Sequence, residues 1–230
     1  MRRRRARAIG AAALAVALAV ALLAPTGAAI AAPRATGDLV RSKEYWLDSY
    51  GIRAAWNATK GAGVTIAIID TGVDGTVAEL RGAVVGGADF SGLGTAAGTP
   101  EGTGDEHGTM VASLAAGRGT GANSGVLGAA PAASLLSISV GFGATDQDSD
   151  QQIADGVTWA VDHGAKVINL SLTRNTLDWP PSWDKAFLYA ADHDVVVVAA
   201  AGNRGSGTEE VGAPATMPGV VAVGGVTQNG

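Results

Sequence analysis

The chain has 230 residues, 47% of them hydrophobic and 16% charged, with no cysteine and a formal net charge of −5. That length and apolar fraction suffice for one sizeable domain. The acidic balance excludes a basic nucleic-acid footprint, and the lack of cysteine excludes a disulfide scaffold.

Five arginines, Arg2 to Arg5 and Arg7, precede an Ala/Val/Leu run from Ile9 to Leu23, and Ala29-Ile30-Ala31 offers a small-x-small cleavage site. This is the pattern of a Sec-type secretory signal peptide over residues 1–31. A retained membrane anchor is the rival reading, but the run is short for a span of about 20 residues. Cleavage would leave 11 basic against 21 acidic side chains, a net charge of −10. Residues 32–44 read as a flexible leader, and residues 45–230 as the domain.

Tyr45, Trp46, Leu47, Ile52, Ala55 and Trp56 predict a short helix before the turn at Gly61-Ala62-Gly63. The β-branched run Val64–Ile69 predicts a strand buried on both faces. Residues 82–104, rich in Gly and Thr, read as loop, and His107–Ala116 as helix. A strand over Leu135–Val140 follows. Then come helix Ile153–His163, strand Val167–Leu172, helix Trp183–His193, strand Val195–Ala201 and strand Val220–Val226. Helices alternating with buried apolar strands predict βαβ units and a parallel sheet.

In such sheets, ligands collect at the carboxyl ends of the strands, where Asp70 and Asn203 both fall. Asp70, in Asp-Thr-Gly, is open to three readings: one half of an aspartic-protease pair, a turn residue, or a charge-relay acid. The first needs two carboxylates sharing a proton, and only one Asp-Thr-Gly occurs in a chain that is not all-β. His107 opens a helix in His-Gly-Thr-Met-Val-Ala, where small residues allow close backbone approach. Its imidazole could meet Asp70 through one ring nitrogen and a serine through the other. His163 and His193, each at a helix end beside an aspartate, read as solvated caps. Ala199-Ala200-Ala201-Gly202-Asn203 ends a strand on small residues and an amide able to donate to a developing oxyanion.

Together these stretches resemble the subtilisin-like serine peptidases (subtilases), from about Trp46 to Gly230. The resemblance rests on IAIIDTGVD (66–74), HGTMVAS (107–113), VLGAAPAASL (126–135), VINLSL (167–172), VVVVAAAGN (195–203) and GAPATMPGVVAVGGV (212–226). It implies an α/β, three-layer fold with a mostly parallel sheet, incomplete at the C-terminus. Asp70 would orient the base, His107 would move the proton, and Asn203 would stabilise the oxyanion. Ser171, Leu172 and Thr173 would offer backbone to an extended peptide, and Ala200, Ala201 and Gly202 would wall the primary specificity pocket. Ala213-Pro214 matches a place where the family can hold a cis proline.

Departures from the family pattern are Thr173, where glycine is usual, and Val77-Ala78-Glu79, where His-Pro-Asp is usual. In the loop from Arg174 to Trp183, Trp179 and Trp183 could roof the substrate cleft or be ordinary packing. No cofactor is expected for the chemistry. Structural calcium is an option through Glu79 and Asn123, in a calcium loop only partly recognisable at residues 121–125. The short leader and the Trp-Leu segment are similar to the mycosin-like branch.

The family order is Asp, His, Asn, Ser, with the serine several dozen residues past the asparagine. Only Ser206 follows Asn203, too close to the oxyanion donor to serve as nucleophile. The resemblance therefore implies a secreted, monomeric serine endopeptidase acting on polypeptides, with its serine-bearing part absent from this chain. Any membrane attachment would be through a missing C-terminal anchor. Apolar surface around Val195–Val198 and Val220–Val223 would then lie open. The alternative is a catalytically inactive peptide-binding pseudoprotease or a decayed gene fragment.

Overall fold

The computed structural model describes residues 38–100, 106–142, 148–174, 176–203 and 210–227. The proposed signal peptide and Ser206 lie outside them. Gly37–Gly230 forms one compact unit.

A six-stranded, all-parallel sheet is its centre, in the order β2-β3-β1-β4-β5-β6. The strands are β1 Thr65–Asp70, β2 Val84–Asp89, β3 Ser134–Ser139, β4 Val167–Leu170, β5 Val196–Ala200 and β6 Val221–Val223. Three short helices precede β1: α1 Leu39–Lys43, α2 Trp46–Ser49 and α3 Ile52–Ala55. The long helices are α4 His107–Ala116, α5 Ser149–Asp162 and α6 Pro181–Asp192.

Alternation along the central strand explains the three layers. Ile66 and Ile68 of β1 pack with Ala112 and Ala116 of α4. Ala67 and Ile69, pointing the other way, join Val157 and Ala160 of α5 and Ala186 and Ala190 of α6. A strand covered on both faces needs apolar residues at every position, hence the unbroken Ile-Ala-Ile-Ile. Parallel pairing also carries the carboxyl ends of β1, β4 and β5 to one edge of the sheet, where ligands are bound in such folds.

The stretch expected to be loop contains β2. Gly86 and Gly87 suppress the strand pattern, but the packing requires Gly87: a β-carbon there would collide with the carbonyl oxygens of Ala97 and Ser137. Helix α5 begins four residues before the expected Ile153. Its first turn is polar and capped by the Asp148 carboxylate, which accepts the Asp150 N–H at 3.0 Å. Residues 38–43, assigned to the leader by composition, carry α1. Of the apolar surface expected to be open, Val195 and Val197 are buried, whereas Val196, Val221 and Val223 are about half exposed. His163 and His193 cap α5 and α6, each Nδ1 lying 2.8 Å from the carbonyl four residues back.

Asp89 at the end of β2 organises the following turn. Its carboxylate accepts from the hydroxyls of Ser91 and Ser139, both at 2.5 Å, and from the Ser91 and Gly94 amides at 3.0 Å. Burial pushes its pKa up, but the Ser139 and Ser91 hydroxyls and the two amides outweigh burial, and the net pKa lies below the ordinary value. A depressed folded-state pKa contributes stability above the unfolded pKa of about 4, lost as pH falls through the folded value. The melting temperature of Asp89→Asn should accordingly fall less steeply than the wild type's between about pH 5 and pH 3. Parallel curves would exclude this contribution.

Candidate active site

Asp70 is the last residue of β1 and is 1% exposed; His107 is the first residue of α4. The 36 intervening residues place the two side chains together. His107 Nδ1 lies 2.8 Å from Asp70 Oδ1 and 3.0 Å from Oδ2, and Oδ1 also accepts the Thr71 N–H at 2.7 Å. An ionised carboxylate only accepts, so Nδ1 is the donor and Nε2 is left as the acceptor for another group. The imidazole is 53% exposed while its partner is buried, so the carboxylate holds the ring from behind.

The neighbouring backbone fixes that arrangement. The Gly108 N–H donates to Thr71 Oγ1 at 3.1 Å, and the Asp74 N–H to Thr109 Oγ1 at 2.9 Å, tying the start of α4 to the loop after β1. Gly108 is required by proximity. A β-carbon there would strike the Gly72 carbonyl oxygen and stand 3.1 Å from Asp70 Cβ. Gly108→Ala is expected to lower kcat/KM for peptide hydrolysis by about 10²-fold through misplacement of His107, with a stability loss of about 1–3 kcal/mol. Peptide hydrolysis and thermal melting check this; wild-type values in both would remove the close-approach argument.

His107 and Thr71 border a groove of about 350 Å³ whose other walls come from Phe142, from Ser149, Asp150 and Ile153 at the start of α5, and from Ser171 to Arg174 after β4. Ser171, Leu172 and Thr173 therefore share a groove with His107. Ala200 ends β5, with Ala201 and Gly202 following, and a β-carbon on Gly202 would lie 3.7 Å from Thr173. That region thus adjoins the β4 exit. Asn203 is exposed and does not line the groove. A hollow of about 570 Å³ between α5 and α6 is larger, but it contains neither Asp70 nor His107. Only the smaller of these two hollows is lined by His107.

Sequence reasoning gave no site role to Asp150 or Arg174. Arg174 Nη1 pairs with Asp150 Oδ2 in the groove wall. The guanidinium also lies 5.7 Å from the centre of the Trp183 ring, and Trp183 Nε1 donates to the Asp150 carbonyl at 2.8 Å. Trp183 is fully buried, so it packs rather than roofs the cleft. Trp179 packs against the same core and donates to Asp184 at 2.7 Å. Arg174 follows Thr173 directly, which was the available signal; Asp150 became visible only with the true start of α5. The Arg174 N–H donates to the Ala213 carbonyl at 2.7 Å, and the Ala213–Pro214 peptide bond is cis.

A buried carboxylate holding a histidine beside a groove is the arrangement that an acid–base pair requires. The Subtilase family model matches residues 61–230, which is most of the chain. The chain belongs to the subtilase family.

Among curated relatives, this subtilase is 37% identical to fervidolysin of Fervidobacterium pennivorans over 194 residues, covering 79% of this chain and 26% of that protein. It is 37% identical to thermitase of Thermoactinomyces vulgaris over 188 residues, covering 82% of this chain and 64% of thermitase. It thus spans between about a quarter and two thirds of these relatives. Solved structures with the same fold include MycP1 from Mycobacterium smegmatis, at a TM-score of 0.63 and 31% identity, covering 80% of this chain and 57% of that one. MycP1 from the ESX-1 type VII secretion system has a TM-score of 0.65 at 29% identity, with 86% and 60% covered. The subtilase is therefore subtilisin-like and mycosin-like in fold, a member of a serine peptidase family.

Proposed function

We propose that this protein is an exported serine endopeptidase that cleaves polypeptides through an acyl-enzyme. Asp70 orients the imidazole. His107 Nε2 takes the proton from a serine hydroxyl as the hydroxyl oxygen attacks the scissile carbonyl, then gives it to the leaving amine. Asn203 donates to the tetrahedral oxyanion. An extended peptide lies along the backbone of Ser171, Leu172 and Thr173 as an added strand, and Ala200, Ala201 and Gly202 wall the pocket for the side chain before the scissile bond. Residues 1–31 act as the export signal, and the domain takes in residues 38–44 as well as residues 45–230.

The observation that carries this reading is the His107–Asp70 contact at 2.8 Å and 3.0 Å, with the carboxylate buried and the ring facing a groove. The test is fluorophosphonate labelling of the protein expressed from its complete reading frame. Labelling of one serine, abolished in His107→Ala, is the expected result. A folded protein that binds extended peptides but takes up no label would instead establish the inactive peptide-binding reading.

A further inference from the structure

The calcium candidates Glu79 and Asn123 belong to a region whose charges are already matched. Residues 119–126 fold back on themselves, with the Gly119 N–H donating to Val126 O at 2.9 Å and the Thr120 N–H to Ser124 O at 2.8 Å. Into this loop reaches the guanidinium of Arg41, more than 80 positions earlier in the chain. Its Nη2 donates to Ser124 O at 2.8 Å and its Nε to Gly125 O at 3.2 Å. Gly119 leaves the space: a β-carbon there would be 2.6 Å from Nη2.

Three carboxylates complete the surroundings. Glu44 is 2% exposed; its Oε1 accepts the Leu127 N–H at 2.6 Å and its Oε2 lies 3.3 Å from Arg41 Nε. Asp38 accepts from Arg41 N at 2.8 Å and Gly125 N at 2.7 Å, while its own N–H donates to Asn123 O at 3.1 Å. The Glu79 carboxylate flanks Gly125, with Oε1 2.8 Å from where a β-carbon on that glycine would stand.

Inward carbonyl oxygens with carboxylates around them are the donor set of a hard cation such as calcium. Here a positive charge tethered to the chain already takes two of those carbonyls and balances a buried glutamate. Admitting a metal would mean displacing the guanidinium, and among the described residues Glu44 Oε2 has no other partner to fall back on. Among the described residues, no group of three or more His, Asp or Glu side chains could hold a metal ion. The residues present do not fit calcium.

We infer that Arg41 is the resident cation of the 119–127 loop, so that the loop closes without metal and residues 38–44 are a fixed strap of the domain. The carboxyl of Asp38 is held below its ordinary pKa by the backbone N–H of Arg41 and then of Gly125, which agrees with a strap seated on the loop. This inference does not depend on the peptidase reading, because its test needs no turnover.

The test is thermal melting of the full-length protein in EDTA and in millimolar calcium, beside Arg41→Gln and Arg41→Lys. The wild type is expected to melt within about 1 °C in the two buffers, with Arg41→Gln lower by about 5 °C or more and Arg41→Lys between them. A wild-type melting temperature that falls by several degrees in EDTA and returns with calcium would overturn the inference. So would an Arg41→Gln variant that melts like the wild type. If Arg41→Gln does not fold, amide exchange in the wild type decides. The Gly125 and Leu127 amides should exchange at least about 10²-fold slower than unprotected amides in EDTA; rapid exchange that calcium slows would defeat the idea.

Discussion

Replacing His107 by alanine should lower kcat for peptide hydrolysis by about 10⁶, the size found in subtilisin itself when the base is removed. Asp70→Asn should cost about 10⁴, because an amide can hold the ring in the wrong tautomer but cannot stabilise the imidazolium. The double variant should be no worse than His107→Ala alone, since the two groups act as a unit. The structure supports reading these losses as chemistry rather than unfolding. The imidazole is 53% exposed, so its removal opens no core cavity, and the Thr71 N–H still donates to Asp70. Steady-state hydrolysis of a peptide substrate with circular dichroism as the folding control checks the series. Substantial activity in a folded His107→Ala would remove the proposed mechanism.

Trp183→Ala should produce the largest stability loss. Trp183 is completely buried at the start of α6, stacks on Phe187 with centroids 5.7 Å apart, and satisfies the Asp150 carbonyl. Truncation of a buried Trp costs about 3–5 kcal/mol, which for a domain of this size is a melting shift of about 10 °C. The damage should reach the groove. Asp150 carries the ion pair to Arg174, and Arg174 sits over the indole, so both wall residues lose their support. Trp183→Phe keeps most of the packing but loses the N–H donor and some ring volume, a net effect of about 1–2 kcal/mol. Melting curves of the two variants separate packing from hydrogen bonding. A KM for peptide that rises while kcat holds would show that the groove wall binds substrate. An alanine variant as stable as the wild type would show that α6 is not anchored through this residue.

Much of this organisation is legible in single segments because local rules suffice there. Ile66 to Ile69 can only be a strand buried on both faces, and His107 to Ala116 has the expected helix limits without correction. Glycines misled the reading where packing overrode propensity, as in β2, whose Gly87 is dictated by backbone passing over it. The start of α5 was missed because a polar, capped first turn has no apolar period to show. The two indoles of residues 174–183 could not be sorted into roof or packing, since both uses favour the same residue type.

Local pattern is enough for five of the six strands, for the three long helices, and for an aspartate at one strand end, a histidine at a helix start and an asparagine after another strand. Periodicity, β-branching and small residues are local properties, and each element expresses them on its own. The strand order β2-β3-β1-β4-β5-β6, the meeting of His107 with Asp70, the Asp150–Arg174 wall and the seating of Arg41 on the 119–127 loop arise from tertiary packing. Those depend on which faces are buried against each other. A partly buried charge finds its partner wherever packing brings one, here as far as 84 positions along the chain.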